Sequence, residues 1–167
     1  YYLAKFISES SVFGDISKIF YPPKLSGISF WIHPQEEKRR LDTFTGYDPA
    51  KQKDYAVFIT VNTKGEVVGY ARFSKVPYTI QIKRLKKYLD RFFFGDKILL
   101  YDATGVGDAV GELIYEYNID ANIYPITFTN KLKMKLVNKL QVAIENRFIK
   151  CPHILEIENE LLSYEMT

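Results

Sequence analysis

The spacing of hydrophobic and polar positions changes several times along this chain, and each change marks an element. Residues 55–62, YAVFITVN, and 66–73, EVVGYARF, alternate with period two and are rich in β-branched and aromatic side chains. The NTKG turn at 62–65 between them predicts a β-hairpin. Before it, DTFTGYD at 42–48 reads as a strand that ends on an acid. After the hairpin the period lengthens: over 79–93, Ile82, Leu85, Leu89, Phe92 and Phe93 fall at helical spacing, with Lys83, Lys86, Lys87 and Arg91 on the opposite side. DKILLYDA at 96–103 is a short apolar run of the kind that forms a strand buried on both faces. GDAVGELIYEYN at 107–118 predicts a helix with Val110, Leu113, Ile114 and Tyr117 inward, and IYPITFT at 123–129 a further strand. NKLKMKLVNKLQVAIENRFI at 130–149 predicts a long amphipathic helix capped by Asn130, with Leu132, Leu136, Leu140, Ala143 and Ile144 on one stripe. PHILEIENELLSYE at 152–165 reads as a last helix opening on proline.

The first forty residues carry less pattern. LAKFISES reads as a short helix, SSVFGDISKIFYPPKLSG as an irregular segment broken by Pro and Gly, and PQEEKRR at 34–40 as a solvated charged loop. The resulting order, β-β-β-α-β-α-β-α-α, predicts an α/β fold. An antiparallel hairpin comes first and parallel strands after it, giving one mixed sheet flanked by helices. No internal repeat or low-complexity segment interrupts it.

Composition narrows the classes. The chain has 167 residues, 16% aromatic and 26% charged, which suits one globular domain rather than a disordered chain. A formal net charge of +3 permits nucleic-acid binding without requiring it. One cysteine, Cys151, and two histidines, His33 and His153, are too few for a disulfide framework or a Cys/His zinc site. Cys151 is expected to be an inert reduced thiol. No apolar run is long enough to span a bilayer, and no membrane partner is expected. The opening YYLAKF, without a methionine, reads as part of a longer protein.

The candidate chemistry lies in the acids. Asp48 ends the first predicted strand and Asp102 the fourth, and in α/β sheets ligands bind at the carboxyl ends of strands. If those strands are parallel neighbours, the two carboxylates lie close together and repel unless a cation or a proton intervenes. Oxygen ligands with no nearby His or Cys favour a hard ion, Mg²⁺ or Mn²⁺. A paired-metal site of that kind activates water and stabilises the leaving oxygen of a phosphodiester. Either aspartate could instead simply begin a turn. Asp54, six residues after Asp48, could serve as an auxiliary ligand or pair with Lys51 or Lys53. Asp108 falls in the first turn of a helix, where the dipole favours a carboxylate.

Two families share features with these residues. DATGVGD at 102–108 resembles the D-T-x-G-A-G-D signature of ribokinase-like sugar kinases. That resemblance implies that the helix N-terminus holds an anion and that Asp108 deprotonates a sugar hydroxyl. Those kinases are about twice as long, however, and the preceding hundred residues lack their glycine-rich start. The second resemblance covers most of the chain in order. YYLAKFISESSVF, TGYDPAKQKDYAVFITVN, ILLYDATGVGDAVGELI, YPITFTNKLKMKLVNKLQVAIENRFIKCP and ELLSYE together resemble the C-terminal nuclease domain of the large terminase subunit of tailed bacteriophages.

This second resemblance implies an RNase H-like fold over residues 42–167, with residues 1–41 a linker packing on the domain. It also implies an endonuclease that cuts concatemeric viral DNA with two Mg²⁺ or Mn²⁺ ions. Asp48 and Asp102 would be the catalytic metal ligands, Asp54 an accessory acid, and Asp108 a helix cap or outer-shell group. Gly105 and Gly107 would let the backbone turn beside the metals. A third metal-binding aspartate would lie beyond Thr167. Phosphate grip would come from Lys51 and Lys53, from Lys131, Lys133 and Lys135, or from the face of Lys83, Lys87 and Arg91. The chain has no GxxxxGK(S/T) loop, so the ATPase domain of such a protein is expected elsewhere. The implied partners are double-stranded DNA, the small terminase subunit and the portal, and the implied setting is the host cytoplasm. A non-catalytic module of the same fold that docks on DNA or portal is the remaining alternative.

Overall fold

The computed structural model of the chain describes residues 12–50, 54–106 and 108–164. In chain order the elements are β1 (Phe20–Leu25), β2 (Phe30–Ile32), α1 (Glu36–Arg39), β3 (Thr43–Asp48), β4 (Tyr55–Asn62), β5 (Val67–Ser74), α2 (Tyr78–Phe92), β6 (Lys97–Asp102), α3 (Ala109–Glu116), β7 (Asn122–Ile126), α4 (Asn130–Glu145), β8 (Cys151–Ile154) and α5 (Leu155–Ser163). The chain divides into two compact units, Ser29–Phe128 and a second formed by Tyr1–Ile28 with Thr129–Thr167.

The Ser29–Phe128 unit is a 6-stranded sheet in the order β2-β5-β4-β3-β6-β7. Strands β2, β5, β4 and β3 pair antiparallel in succession, whereas β3–β6 and β6–β7 are parallel. This is the expected mixed sheet, with the expected hairpin in it. The hairpin closes through Gly65, whose φ of 78° lies where a Cβ would be strained. Asn62 Oδ1 meanwhile accepts from the Lys64 and Glu66 backbone N–H groups at 2.9 and 3.2 Å.

Helices α2 and α3 cover one face of this sheet. Tyr47, Phe58, Val68, Ala71, Leu99 and Tyr101 from the strands pack there with Ile82, Leu85, Tyr88, Leu89, Val110 and Ile114 from the helices. Of the inward positions read from the helical spacing, Ile82, Leu85, Leu89, Phe93, Val110 and Ile114 are buried, while Phe92, Leu113 and Tyr117 are only partly buried. A buried chain of hydroxyls ties the layers together: Thr45 and Thr60 meet at 2.7 Å, and Thr60 meets Tyr88 at 2.6 Å.

Two features of this unit escape the periodicity. The charged stretch at 34–40 is not a solvated loop: α1 forms there and Glu36 is only 1% exposed. Its Oε2 accepts from Asn62 Nδ2 at 3.3 Å, while Arg39 pairs with Glu66 at 2.7 Å, so the hairpin turn supplies the partners that draw the acid inside. Strand β2 is the second such feature. It adds FWI to the sheet beside β5, its three residues being too few to show a period.

The second unit holds a 2-stranded parallel sheet of β1 and β8. Residues 152–165 do not form one helix as the proline suggested, because Cys151–Ile154 is extended and only Leu155–Ser163 is helical. Its partner strand, FYPPKL, contains two prolines, tolerated because each strand of such a pair has a free edge and the register shifts between Tyr21 and Lys24. Phe13, Ile16, Ile19 and Ile144 form the buried cluster of this unit. Of the predicted α4 stripe, Ile144 is buried and Leu136 is exposed. The cap of α4 is Thr129, one residue before the expected Asn130: its hydroxyl accepts from the Leu132 N–H at 3.1 Å. Cys151 is buried, and burial pushes its thiol up to about 12, in keeping with an inert thiol. Residues 3–10, read as a helix, lie outside the described residues. No described helix is long and apolar enough to cross a membrane.

Candidate active site

Strand β3 alternates cleanly. Thr43, Thr45 and Tyr47 point into the helix-covered core, and Phe44, Gly46 and Asp48 lie on the opposite, solvent-accessible face. Its parallel neighbour β6 runs in register with it, Thr45 opposite Leu99 and Tyr47 opposite Tyr101. The next residue on each strand is the aspartate, so Asp48 and Asp102 stand side by side at adjacent carboxyl tips and on the same face. Neighbouring strands are spaced about 4.8 Å apart, which brings the two carboxylates within reach of one cation. The structure thus brings together the two acids singled out in the sequence.

Neighbouring groups fix both tips. The Tyr47 hydroxyl donates to Gln81 Oε1 at 2.7 Å. Gln81 Nε2 in turn donates to the carbonyls of Ala50 and Val76 at 2.7 and 2.8 Å. The chain leaving Asp48 is therefore tied through Ala50 to helix α2. Burial, with smaller contributions from Tyr78 and Asp48, holds the Tyr47 phenol well above its usual range, so it remains a donor at any working pH. Gln81 was missed in the sequence: it sits one position before Ile82 on the apolar stripe, where a polar residue carries no periodic signal.

On the other tip, Asp102 Oδ1 accepts from the Thr104 N–H at 2.8 Å, and the Thr104 hydroxyl accepts from the Phe128 N–H at 2.9 Å. Gly105 follows with φ at 75°, the left-handed conformation that the expected tight turn requires. Gly107 lies outside the described residues.

The remaining candidates are distributed unevenly. Asp54 is exposed immediately before β4, at the same end of the sheet as Asp48 because β3 and β4 are antiparallel. Asp108 occupies the N-cap position of α3 but makes no side-chain capping hydrogen bond; only its backbone carbonyl serves the helix, accepting from Glu112 N–H at 2.9 Å. Its carboxylate sits as a charge at the helix N-terminus, where the dipole favours it. Lys51 and Lys53 lie outside the described residues. Lys131, Lys133 and Lys135 are exposed in the first turns of α4, in the second unit. Lys83, Lys87 and Arg91 are carried by α2, on the side of the sheet opposite Asp48; Lys86 on that helix pairs with Asp90 at 3.2 Å.

Among the described residues no group of three or more His, Cys, Asp or Glu side chains could hold a metal ion. The donor set is therefore two carboxylates, all hard oxygen. That suits an ion such as Mg²⁺, which binds through one or two carboxylates and keeps water and substrate phosphates for its other positions. Without an ion the pair is repulsive. Two like charges roughly 5 Å apart cost about 1–3 kcal/mol between bulk-water and near-surface screening. Asp48→Asn or Asp102→Asn should therefore raise the Tm of the metal-free protein by a few degrees, the gain shrinking with added salt. Asparagine at 102 can still accept from Thr104. A fall in Tm for both variants, measured by calorimetry in EDTA, would count against the pairing.

No protein-family model matches the chain, and among curated proteins none matches either. Solved structures do. The large terminase nuclease from thermophilic phage G20c with bound magnesium superposes with a TM-score of 0.80 at 22% identity, over 93% of this chain and 80% of that one. The same nuclease with bound zinc gives 0.79 at 21% identity, over 92% and 88%. The large terminase nuclease domain of Thermus phage P74-26 gives 0.74 at 20%, over 93% and 79%. At these identities the likeness is one of fold, and this chain has the mixed α/β, RNase H-like fold of the large terminase nuclease domains.

Proposed function

We propose that this chain is a divalent-metal-dependent endodeoxyribonuclease domain of a viral DNA-packaging terminase, cutting concatemeric double-stranded DNA with Asp48 and Asp102 as its metal ligands. The observation that carries the proposal is the placement of these two carboxylates on adjacent parallel strand tips and one sheet face. The fold it shares with nucleases crystallised with magnesium and zinc supports the same reading.

In this reading, two Mg²⁺ or Mn²⁺ ions when bound would supply an activated water and stabilise charge on the leaving oxygen. The protein's own part is positional. Asp48 and Asp102 would hold the ions; Tyr47 and Gln81 fix the chain beyond Asp48; the Asp102–Thr104–Phe128 hydrogen bonds and the Gly105 turn hold the second tip. Asp54 would serve as an accessory acid from the same end of the sheet, and Asp108 as a helix-terminal charge. Lys51, Lys53, Lys131 and Lys133 would contribute phosphate contacts. Two carboxylates alone bind a divalent ion weakly, so millimolar metal is the appropriate condition. The ATPase domain, the small terminase subunit and the portal would be partners in the host cytoplasm.

The test is incubation of the protein with supercoiled plasmid in millimolar Mn²⁺ and in EDTA. Nicked and linear products only with metal are expected. Retention of DNA without cleavage in any metal would favour a binding module, and ATP consumption dependent on a sugar would favour the kinase reading.

A further inference from the structure

Among the described residues of the sheet strands, Arg72 is a cation that shares the face of the two acids. The pairing places Asp48 opposite Val57 and Val57 opposite Arg72. Residues directly opposite on neighbouring strands share a face, so Asp102, Asp48, Val57 and Arg72 form one row across β6, β3, β4 and β5. Tyr55, two residues from Val57, is on that face too, and the Arg72 guanidinium lies 3.8 Å from its ring centroid. The Arg72 Nε is buried and has no hydrogen-bond partner among the described residues.

We propose that Arg72, held over the Tyr55 ring, grips a backbone phosphate of the DNA flanking the one that Asp48 and Asp102 would serve. This rests on the nuclease reading above. Stability alone is a poor account of the arrangement. A cation–π contact near a surface contributes about 0.5–1 kcal/mol, whereas a buried donor without a partner costs about 1–3 kcal/mol. A residue whose local environment is incomplete in this way is what a ligand site presents. The contact with the ring restricts the guanidinium, whose terminal N–H groups can form the bidentate fork that matches phosphate oxygens.

Distance sets the role. Two strand spacings, roughly 10 Å, separate Arg72 from Asp48. The Arg72 guanidinium lies over the Tyr55 ring, and along one DNA strand successive phosphates advance by only about 3.4 Å of helix axis. Arg72 is thus a positioning residue.

The experiment is binding of a short fluorescent DNA duplex in EDTA, where no cleavage confuses the reading, across about 50–200 mM salt. Arg72→Gln should raise Kd roughly five- to tenfold and flatten the log Kd against log salt slope by about 0.9, the value for one lost phosphate contact. Arg84→Gln, whose guanidinium sits over Phe73 on the helix-covered side, should leave both unchanged. In Mn²⁺, Arg72→Gln should raise KM more than it lowers kcat. A folded Arg72→Gln protein with wild-type Kd and slope would overturn the proposal, as would wild-type protein that binds no DNA. Should Arg72→Gln fail to fold, Tyr55→Leu decides: weakened binding supports the proposal, unchanged Kd overturns it. Because binding is read without metal, its failure leaves the nuclease reading intact, and absent cleavage leaves the binding result standing.

Discussion

Asp48→Ala is expected to lower the rate of Mn²⁺-dependent plasmid cleavage by roughly a thousandfold or more while leaving the fold unchanged. The activity loss follows from removing one of the two carboxylates proposed to hold the metal: several kcal/mol of transition-state stabilisation would depend on the ion, and about 4 kcal/mol corresponds to a thousandfold in rate. The unchanged fold follows from position. Asp48 is exposed, at the last residue of β3 and outside the helix-covered core. Asp102→Ala should match it in activity, with some added loss of stability because Asp102 also accepts from the Thr104 N–H. Asp54→Ala should cost far less, about fivefold, as an accessory acid, and Asp108→Ala should stay near wild type. Quantitative gel assays across the four variants check the ranking. A variant set in which Asp108 is essential and Asp48 dispensable would point instead to base chemistry at the start of α3, as a sugar kinase needs.

The second large effect concerns stability. Thr60 is 0% exposed, and its hydroxyl is the middle of the chain that joins Thr45 on β3 to Tyr88 on α2. Thr60→Val preserves shape but strands two buried hydroxyls, each at about 1–3 kcal/mol, so unfolding in urea should show a loss of roughly 2–6 kcal/mol with m unchanged. Adding Tyr88→Phe removes one of the stranded groups. The double variant should therefore be less destabilised than the sum of the singles, with a coupling of about 1 kcal/mol. Additive losses would mean that the two hydroxyls find other partners. Burial holds the Tyr88 phenol far above its usual range, so this chain of hydroxyls does not titrate at working pH.

The parts of this fold that the sequence discloses are those whose cause is local. The β4–β5 hairpin is written in two alternating runs and an Asn/Gly turn, and α2 in apolar residues at helical spacing. Asp48 and Asp102 each terminate a strand, which made them candidates. Their adjacency was a conditional expectation that depended on β3 and β6 pairing in parallel, and the register supplies it. What sequence did not disclose depends on partners distant in the chain. Glu36 is buried because Asn62 and Glu66 receive α1. β8 is extended because β1 pairs with it, and the prolines of β1 conceal that strand. Gln81 lies along an apolar stripe yet bonds Tyr47 and Ala50, a role visible only when β3 and α2 meet. Arg72 was absent from the candidate cations because nothing in ARFS distinguishes it; only the pairing of three strands sets it in the row with Asp48. Thr129 displaced Asn130 as the α4 cap by a single residue, a shift that hydroxyl geometry decides and composition does not.

The central claim is that Asp48 and Asp102 share divalent metal. Crystals soaked in Mn²⁺ and measured at the manganese absorption edge test it most directly. The account predicts an anomalous peak coordinated by both carboxylates. A peak bound elsewhere, with none touching these two side chains at saturating metal, would contradict it.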